Sequence, residues 1–178
     1  MTFEVDITAN QSFDTVDPDR LQQSAVQALQ IEGVAEAVLS ITLVDNAAIH
    51  SINREHLQHD FATDVISFQL DWRHPERDSP GKQPQDRSAG AHIEGDVIAN
   101  VEYAAAEAGR LGWELQSELT LYVIHGMLHI CGYDDLTAVE KQIMQARESV
   151  VLRQLGHSAI PRHAEPVQSI SLMQEGSE

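Results

Sequence analysis

The chain has 178 residues, 42% of them hydrophobic, which suits one domain with a sizeable core. Its single cysteine, Cys131, excludes an intrachain disulfide and fits a reducing, cytoplasmic setting. The formal charge of −17, with only eleven Lys and Arg and no basic run, argues against tight unaided binding to nucleic acid. It does not decide the local field of a cleft. No stretch approaches the ~20 apolar residues of a membrane span, and MTFEVDITAN lacks the basic and apolar regions of a signal peptide.

In chain order, residues 3–8 alternate apolar and polar as a half-buried strand does. Asp17-Pro18 predicts a helix start, with Asp17 as cap and Pro18 in the first turn. Leu21, Ala25, Ala28 and Leu29 form its stripe, and Gly33 ends it. Residues 37–44 read as a central strand. Asp45 caps a second helix over 46–57, with Ile49, Ile52 and Leu57 facing inward. His50, His56 and His59 lie in or beside it and read as surface residues. Residues 63–70 are the next strand. The polar segment 71–92 reads as a long loop, either a flap or a disordered insertion. Residues 93–99 form a strand able to pair antiparallel with 63–70. A helix over 101–109 is broken at Gly112. A further helix begins near Trp113, and residues 138–155 form the last one, with Val139, Ile143, Ala146, Val150 and Leu155 as its inner stripe. Residues 157–178 are polar and aperiodic, a disordered tail by composition. The elements compose an α+β domain over 1–156: a mixed sheet of about four strands, with helices packed on it.

The stretch Leu119–Asp135, LTLYVIHGMLHICGYDD, carries the chemistry. His125 and His129 are four apart, so a helix places them on one face, one turn apart. The helix is apolar nearly all round and reads as buried. Buried imidazoles need partners, and a shared metal ion satisfies both. Gly132 can end the helix in a left-handed turn, bringing Asp135 back toward the histidines. Two His and one carboxylate form a three-ligand set with a position left open, the layout of a catalytic zinc site. The bland reading makes Asp135 a helix cap, but Thr137-Ala138-Val139-Glu140 is the better capping box. Asp134 is the fallback third ligand. Cys131 lies off the histidine face and reads as a small buried apolar residue. Glu118, seven residues before His125, reads as a surface or first-turn carboxylate favoured by the helix dipole. In His-Glu-x-x-His peptidases the residue after the first His is the general base; here it is Gly126.

The run at 125–134, His-Gly-Met-Leu-His-Ile-Cys-Gly-Tyr-Asp, resembles the signature of the YbeY family of bacterial metal-dependent endoribonucleases, His-Gly-x-Leu-His-Leu-x-Gly-Tyr-Asp-His. Thr63-Asp64-Val65-Ile66-Ser67-Phe68 and Gly95-Asp96-Val97-Ile98 are similar to two strand motifs of that family. The resemblance covers about residues 3–155. It departs at two places. The family's third metal His falls on Asp135, itself a competent zinc ligand. The Tyr-Arg pair before the family's Asp-x-Pro-Thr segment is His56-Leu57 here, with Ala62 for the Pro, and Arg54 is the nearest arginine.

The resemblance implies a zincin-like arrangement and a zinc-dependent endoribonuclease acting on single-stranded RNA. It further implies rRNA maturation and ribosome quality control, including the 3′ end of small-subunit rRNA. One zinc ion would sit on His125, His129 and Asp135, with no membrane partner. The acidity of the chain suggests that a ribosome or ribosomal protein helps present the RNA. Asp134, Glu118 and Asp64 are unranked candidates for the base. Two alternatives stand: a zinc metallopeptidase, and a non-catalytic ribosome-associated factor whose structural metal takes a fourth ligand such as Asp134 or Cys131.

Overall fold

The computed structural model describes residues 1–11, 13–58, 60–74 and 87–157. Its elements are β1 (Thr2–Ala9), α1 (Pro18–Ile31), β2 (Glu36–Val44), α2 (Asn46–Ile52), β3 (Val65–Arg73), β4 (His92–Asn100), α3 (Val101–Leu111), α4 (Leu115–Ile130) and α5 (Ala138–Gln154). The strands make one sheet in the order β1-β2-β4-β3. β1, β2 and β4 run parallel, and β3 is the antiparallel edge. The mixed α+β architecture expected from the pattern is the one observed.

Local chemistry accounts for the helix starts. The Asp17 side chain accepts from the Arg20 N–H at 3.0 Å, and the Asp45 side chain from the Ala48 N–H at 2.8 Å. Thr137 Oγ1 accepts from the Glu140 N–H at 3.2 Å. Each satisfies a backbone donor that the first turn leaves unpaired. Asn100, fully buried, caps α3 by accepting from the Tyr103 N–H at 3.1 Å.

The core lies on one face of the sheet. Leu39, Ile41, Ile93 and Val97 from the strands meet Leu21 and Leu29 from α1 and a long row from α4. α4 is buried on nearly every side, as a helix apolar all round should be. Two glycines let backbones approach there. A Cβ on Gly95 would come within 2.6 Å of the Phe68 carbonyl oxygen and 2.7 Å of Ile130, and one on Gly126 within 2.9 Å of Val97. The opposite face is covered by α2, where Val44, Ile49 and Ile66 form a small second cluster.

Several expectations need correction. The second helix does not continue regularly to 57: α2 ends at Ile52 and a π-helical turn covers Asn53–Leu57. The inward packing expected for Leu57 lies outside the described residues, as does His59. The segment 71–92 is not all loop. β3 runs on to Arg73, with Trp72 opposite Ile93 and Arg73 opposite His92. A bulge between Gln69 and Asp71 breaks the alternation that periodicity relies on and turns Leu70 outward, 64% exposed. Residues 75–86 and 158–178 lie outside the described residues. His157, expected in the tail, is buried, its Nδ1 2.9 Å from Ser117 Oγ. On α5 the buried residues are Met144, Glu148, Val151 and Leu152, whereas Val139 and Ala146 are exposed. No helix among the described residues is long and apolar enough to cross a membrane.

Candidate metal centre

α4 ends in a Schellman turn. The Gly132 N–H donates to the His129 carbonyl and the Tyr133 N–H to the Leu128 carbonyl, with Gly132 at φ +90°. The reversal carries Tyr133 to Asp135 back across the last turn of α4. The Tyr133 carbonyl lies 3.2 Å from His129 Nδ1. Since a carbonyl only accepts, Nδ1 carries the proton and His129 presents Nε2 outward. His125 Nδ1 meets Glu148 Oε1 of α5 at 2.5 Å, and Glu148 is 2% exposed. His125 therefore also presents Nε2.

The two Nε2 atoms are 3.1 Å apart. Asp135 Oδ2 is 3.9 Å from that of His125 and Oδ1 3.9 Å from that of His129. Two neutral imidazoles so disposed would oppose their lone pairs, so a proton or a cation belongs between them. In a tetrahedral zinc site, metal–donor bonds of about 2.0–2.1 Å place donors about 3.3 Å apart. The histidine pair matches that spacing, and Asp135 reaches it by closing about 0.6 Å, within the play of a side chain that is 40% exposed. The residues present fit a metal ion. Each imidazole also has its other nitrogen held by a carboxylate or a carbonyl, as metal-ligating histidines usually do. Burial acts to lower the His125 pKa, but the hydrogen bond and charge of Glu148 more than offset it, leaving the imidazole above its ordinary value. Burial and the neighbouring His125 hold His129 below its ordinary value.

Among the described residues, this group contains only those three side chains. Asp134 is engaged elsewhere, its Oδ1 accepting from the N–H groups of Asp135 and Leu136. Cys131 is buried beside Ser88 and Glu32, its thiol pushed up to about 12 by burial. Glu118 lies in the first turn of α4, as expected, but not at the surface: it is fully buried and accepts from the Trp113 indole at 2.7 Å. Seven residues of helix put it about 10 Å from His125. Asp64, just before β3, lines both clefts that flank the histidines. Its Oδ1 accepts from Thr63 Oγ1 and the Val65 N–H, each at 2.9 Å. Arg54 is exposed and lines neither cleft.

Sequence reasoning missed Glu148 and Arg87. A lone carboxylate on the apolar stripe Met144, Val151, Leu152 was the signal for Glu148. Arg87 clasps the turn after α4, donating to the Gly132 carbonyl at 2.9 Å and to Glu140 at 2.7 Å with its guanidinium over Tyr133; nothing in its local sequence marks this. A second group of ligand-type atoms, Asp71, His92 and Glu94, gathers at the far end of β4. Arg73 pairs with Asp71 there at 2.7 Å, so the group already has its cation and reads as an ion-pair network. The surface reading of His50 and His56 agrees with the geometry: His50 pairs with the exposed Asp60, and His56 packs edge-on against Phe68.

The family model described as Endoribonuclease YbeY matches residues 6–156. The Endoribonuclease YbeY of Moorella thermoacetica is 39% identical over 139 residues, 78% of this chain and 84% of that one. Its counterpart from Desulfitobacterium hafniense is 35% identical over 137 residues, covering 76% and 83%. The solution structure of TM1509 from Thermotoga maritima shares the fold, with a TM-score of 0.55 at 18% identity over 86% of this chain and 88% of that one. The family-model match over residues 6–156 and these identities over more than three quarters of the chain make it a member of the endoribonuclease YbeY family.

Proposed function

We propose that this chain is a metal-dependent endoribonuclease that cuts single-stranded RNA, with one zinc ion held by His125, His129 and Asp135. The observation that carries this reading is the convergence of two Nε2 atoms 3.1 Å apart beside a cleft, in a member of that family. When bound, the cation supplies positive charge next to a phosphate and acidifies a water molecule. Glu148 and the Tyr133 carbonyl orient the two imidazoles. Asp64, where the clefts meet, is the best-placed carboxylate to accept a proton from the attacking oxygen. Lys141 lines the cleft between α4 and α5 and meets the phosphate backbone.

Family membership supports the finer reading: maturation of rRNA, including the 3′ end of small-subunit rRNA, and ribosome quality control in the cytoplasm. The charge of −17 favours a ribosome or ribosomal protein that presents the RNA. The peptidase alternative loses support at Gly126, where any side chain would run into Val97. The structural-metal alternative loses support because Asp134 and Cys131, its candidate fourth ligands, are engaged or buried away from the group.

The test is metal content and cleavage of single-stranded RNA by the purified full-length chain, beside the double variant His125→Ala/His129→Ala. Metal and cleavage should both be lost in the variant. Cleavage that persists there belongs to a contaminant and defeats the proposal.

A further inference from the structure

The two clefts beside the histidines differ in chemistry. The one between α4 and α5 sets Lys141 among the carboxylates of Asp64, Asp135 and Glu148, the last of these bonded to His125. The other runs along the start of β3 and the turn after α4. Among the described residues its lining has no Lys or Arg, and it carries the carboxylates of Asp64, Asp134 and Asp135. With Asp135 given to the metal in both clefts, Asp64 and Asp134 remain here with no basic side chain in the lining, so a phosphate away from the metal is less favoured on this side than beside Lys141. Its edges are apolar instead. Phe61 is 56% exposed and Leu136 86%. Thr63, Ser67 and Gln69 line the same cleft, but the Thr63 hydroxyl donates to Asp64 and the Gln69 amide to the Ile130 carbonyl at 2.8 Å, so they make a polar wall with little donor capacity left to discriminate between bases.

Phe61 is held in this place. The buried Asn53 side chain donates to the Phe61 carbonyl at 2.8 Å. Asn53 opens the π-helical turn, and Gln58 in the left-handed region, φ +60°, sends the chain back along the cleft. Single π turns inside helical segments recur at functional sites. A neutral, stackable ligand with polar edges fits this cleft, and a polyanionic one does not.

Resting on the endoribonuclease reading, we infer that this cleft is a nucleobase subsite. An unpaired base of the RNA stacks on Phe61, Leu136 supplies the other apolar edge, and the attached phosphates pass on the Lys141 side. Stacking on an aromatic ring tolerates every base, so the subsite selects single-strandedness rather than sequence.

The experiment is fluorescence anisotropy with the full-length chain and a 2′-O-methyl single-stranded oligonucleotide of about 12 nucleotides, within the footprint of single-strand binders. A gel after each titration checks that the probe is intact. Phe61→Ala should weaken binding by about 5- to 150-fold and leave the salt dependence as it is. Phe61→Trp should restore the affinity. Lys141→Ala should lower the slope of log affinity against log salt by about 0.7, one phosphate contact on a single strand. Wild type that binds RNA, with Phe61→Ala within about twofold of it, overturns the subsite alone. Wild type that neither binds nor cuts single-stranded RNA overturns the endoribonuclease reading and the subsite with it.

Discussion

Glu148 offers the sharpest test of how the site is held. Its carboxylate is 2% exposed and meets His125 Nδ1 at 2.5 Å. Two opposing effects bear on its removal. The buried carboxylate was desolvated at a cost, so neutralising it relieves part of that cost and limits the loss of fold stability. The imidazole loses the partner that aims Nε2, and outer partners of this kind are usually worth 10- to 100-fold in metal affinity, about 1.4–2.7 kcal/mol. The second effect should dominate in metal binding and the first in stability. Glu148→Gln keeps an acceptor and loses the charge, so zinc affinity should fall about 10-fold with a nearly unchanged melt of the metal-free protein. Glu148→Ala loses both, and the fall should approach about 100-fold. Chelator competition on the full-length chain, with a thermal melt beside it, reads both quantities. A Glu148→Ala protein that melts normally and binds zinc within about twofold of wild type would refute the orienting role.

The third ligand is tested by mass spectrometry: wild type should carry about one zinc per chain and Asp135→Ala much less, whereas an unaffected Asp135→Ala would move the ligand to another residue. Gly95→Ala should destabilise by more than the ~1–3 kcal/mol of ordinary overpacking, and Gly126→Ala by about that amount. The first meets a backbone oxygen and the second the methyl groups of Val97 and Val65; urea unfolding that ranks them the other way contradicts this packing. Asn100 caps α3 and donates to Asn46 and to the Thr63 carbonyl beside Asp64. Its replacement by Ala should cost about 2–3 kcal/mol by the same assay, and a loss under about 0.5 would show that the network is dispensable. Zinc affinity should decline as pH falls, starting above the ordinary imidazole range because the raised His125 takes up its competing proton early. Burial, then Arg20, lowers the His157 pKa. Its contribution to stability is therefore intact above about 6.5, the unfolded value, and is lost as pH falls from there toward the folded value. His157→Gln should flatten that part of the pH–stability curve measured by thermal melts.

Much of this molecule is written locally. Asp17, Asp45 and Thr137 announce their helices because a cap bonds within three residues of itself. The His125–His129 pair follows from the helical period, and the turn at Gly132 from the one residue type that takes a positive φ freely. The alternating strands were legible for the same reason, and the pairing of β3 with β4 followed from their neighbouring places in the chain. These features depend on contacts among residues a few positions apart, and a sequence displays such contacts directly.

What the tertiary structure alone decided depends on groups far apart in the chain. The place of β4 between β2 and β3 is a choice among sheet orders that periodicity cannot distinguish. The bulge at Leu70 moved the end of β3 because pairing with β4, not composition, holds residues 71–73 in the sheet. α5 turns Met144 and Glu148 inward, and not Val139 and Ala146, because its orientation is set by α4 beneath it. That same packing buries a carboxylate 23 residues from His125 and makes it the imidazole's partner. The residue types proposed as ligands and their spacing are properties of the chain, whereas their orientation, and the placing of Lys141 beside one cleft and of Phe61 and Leu136 beside the other, arise only when α4, α5 and β3 meet.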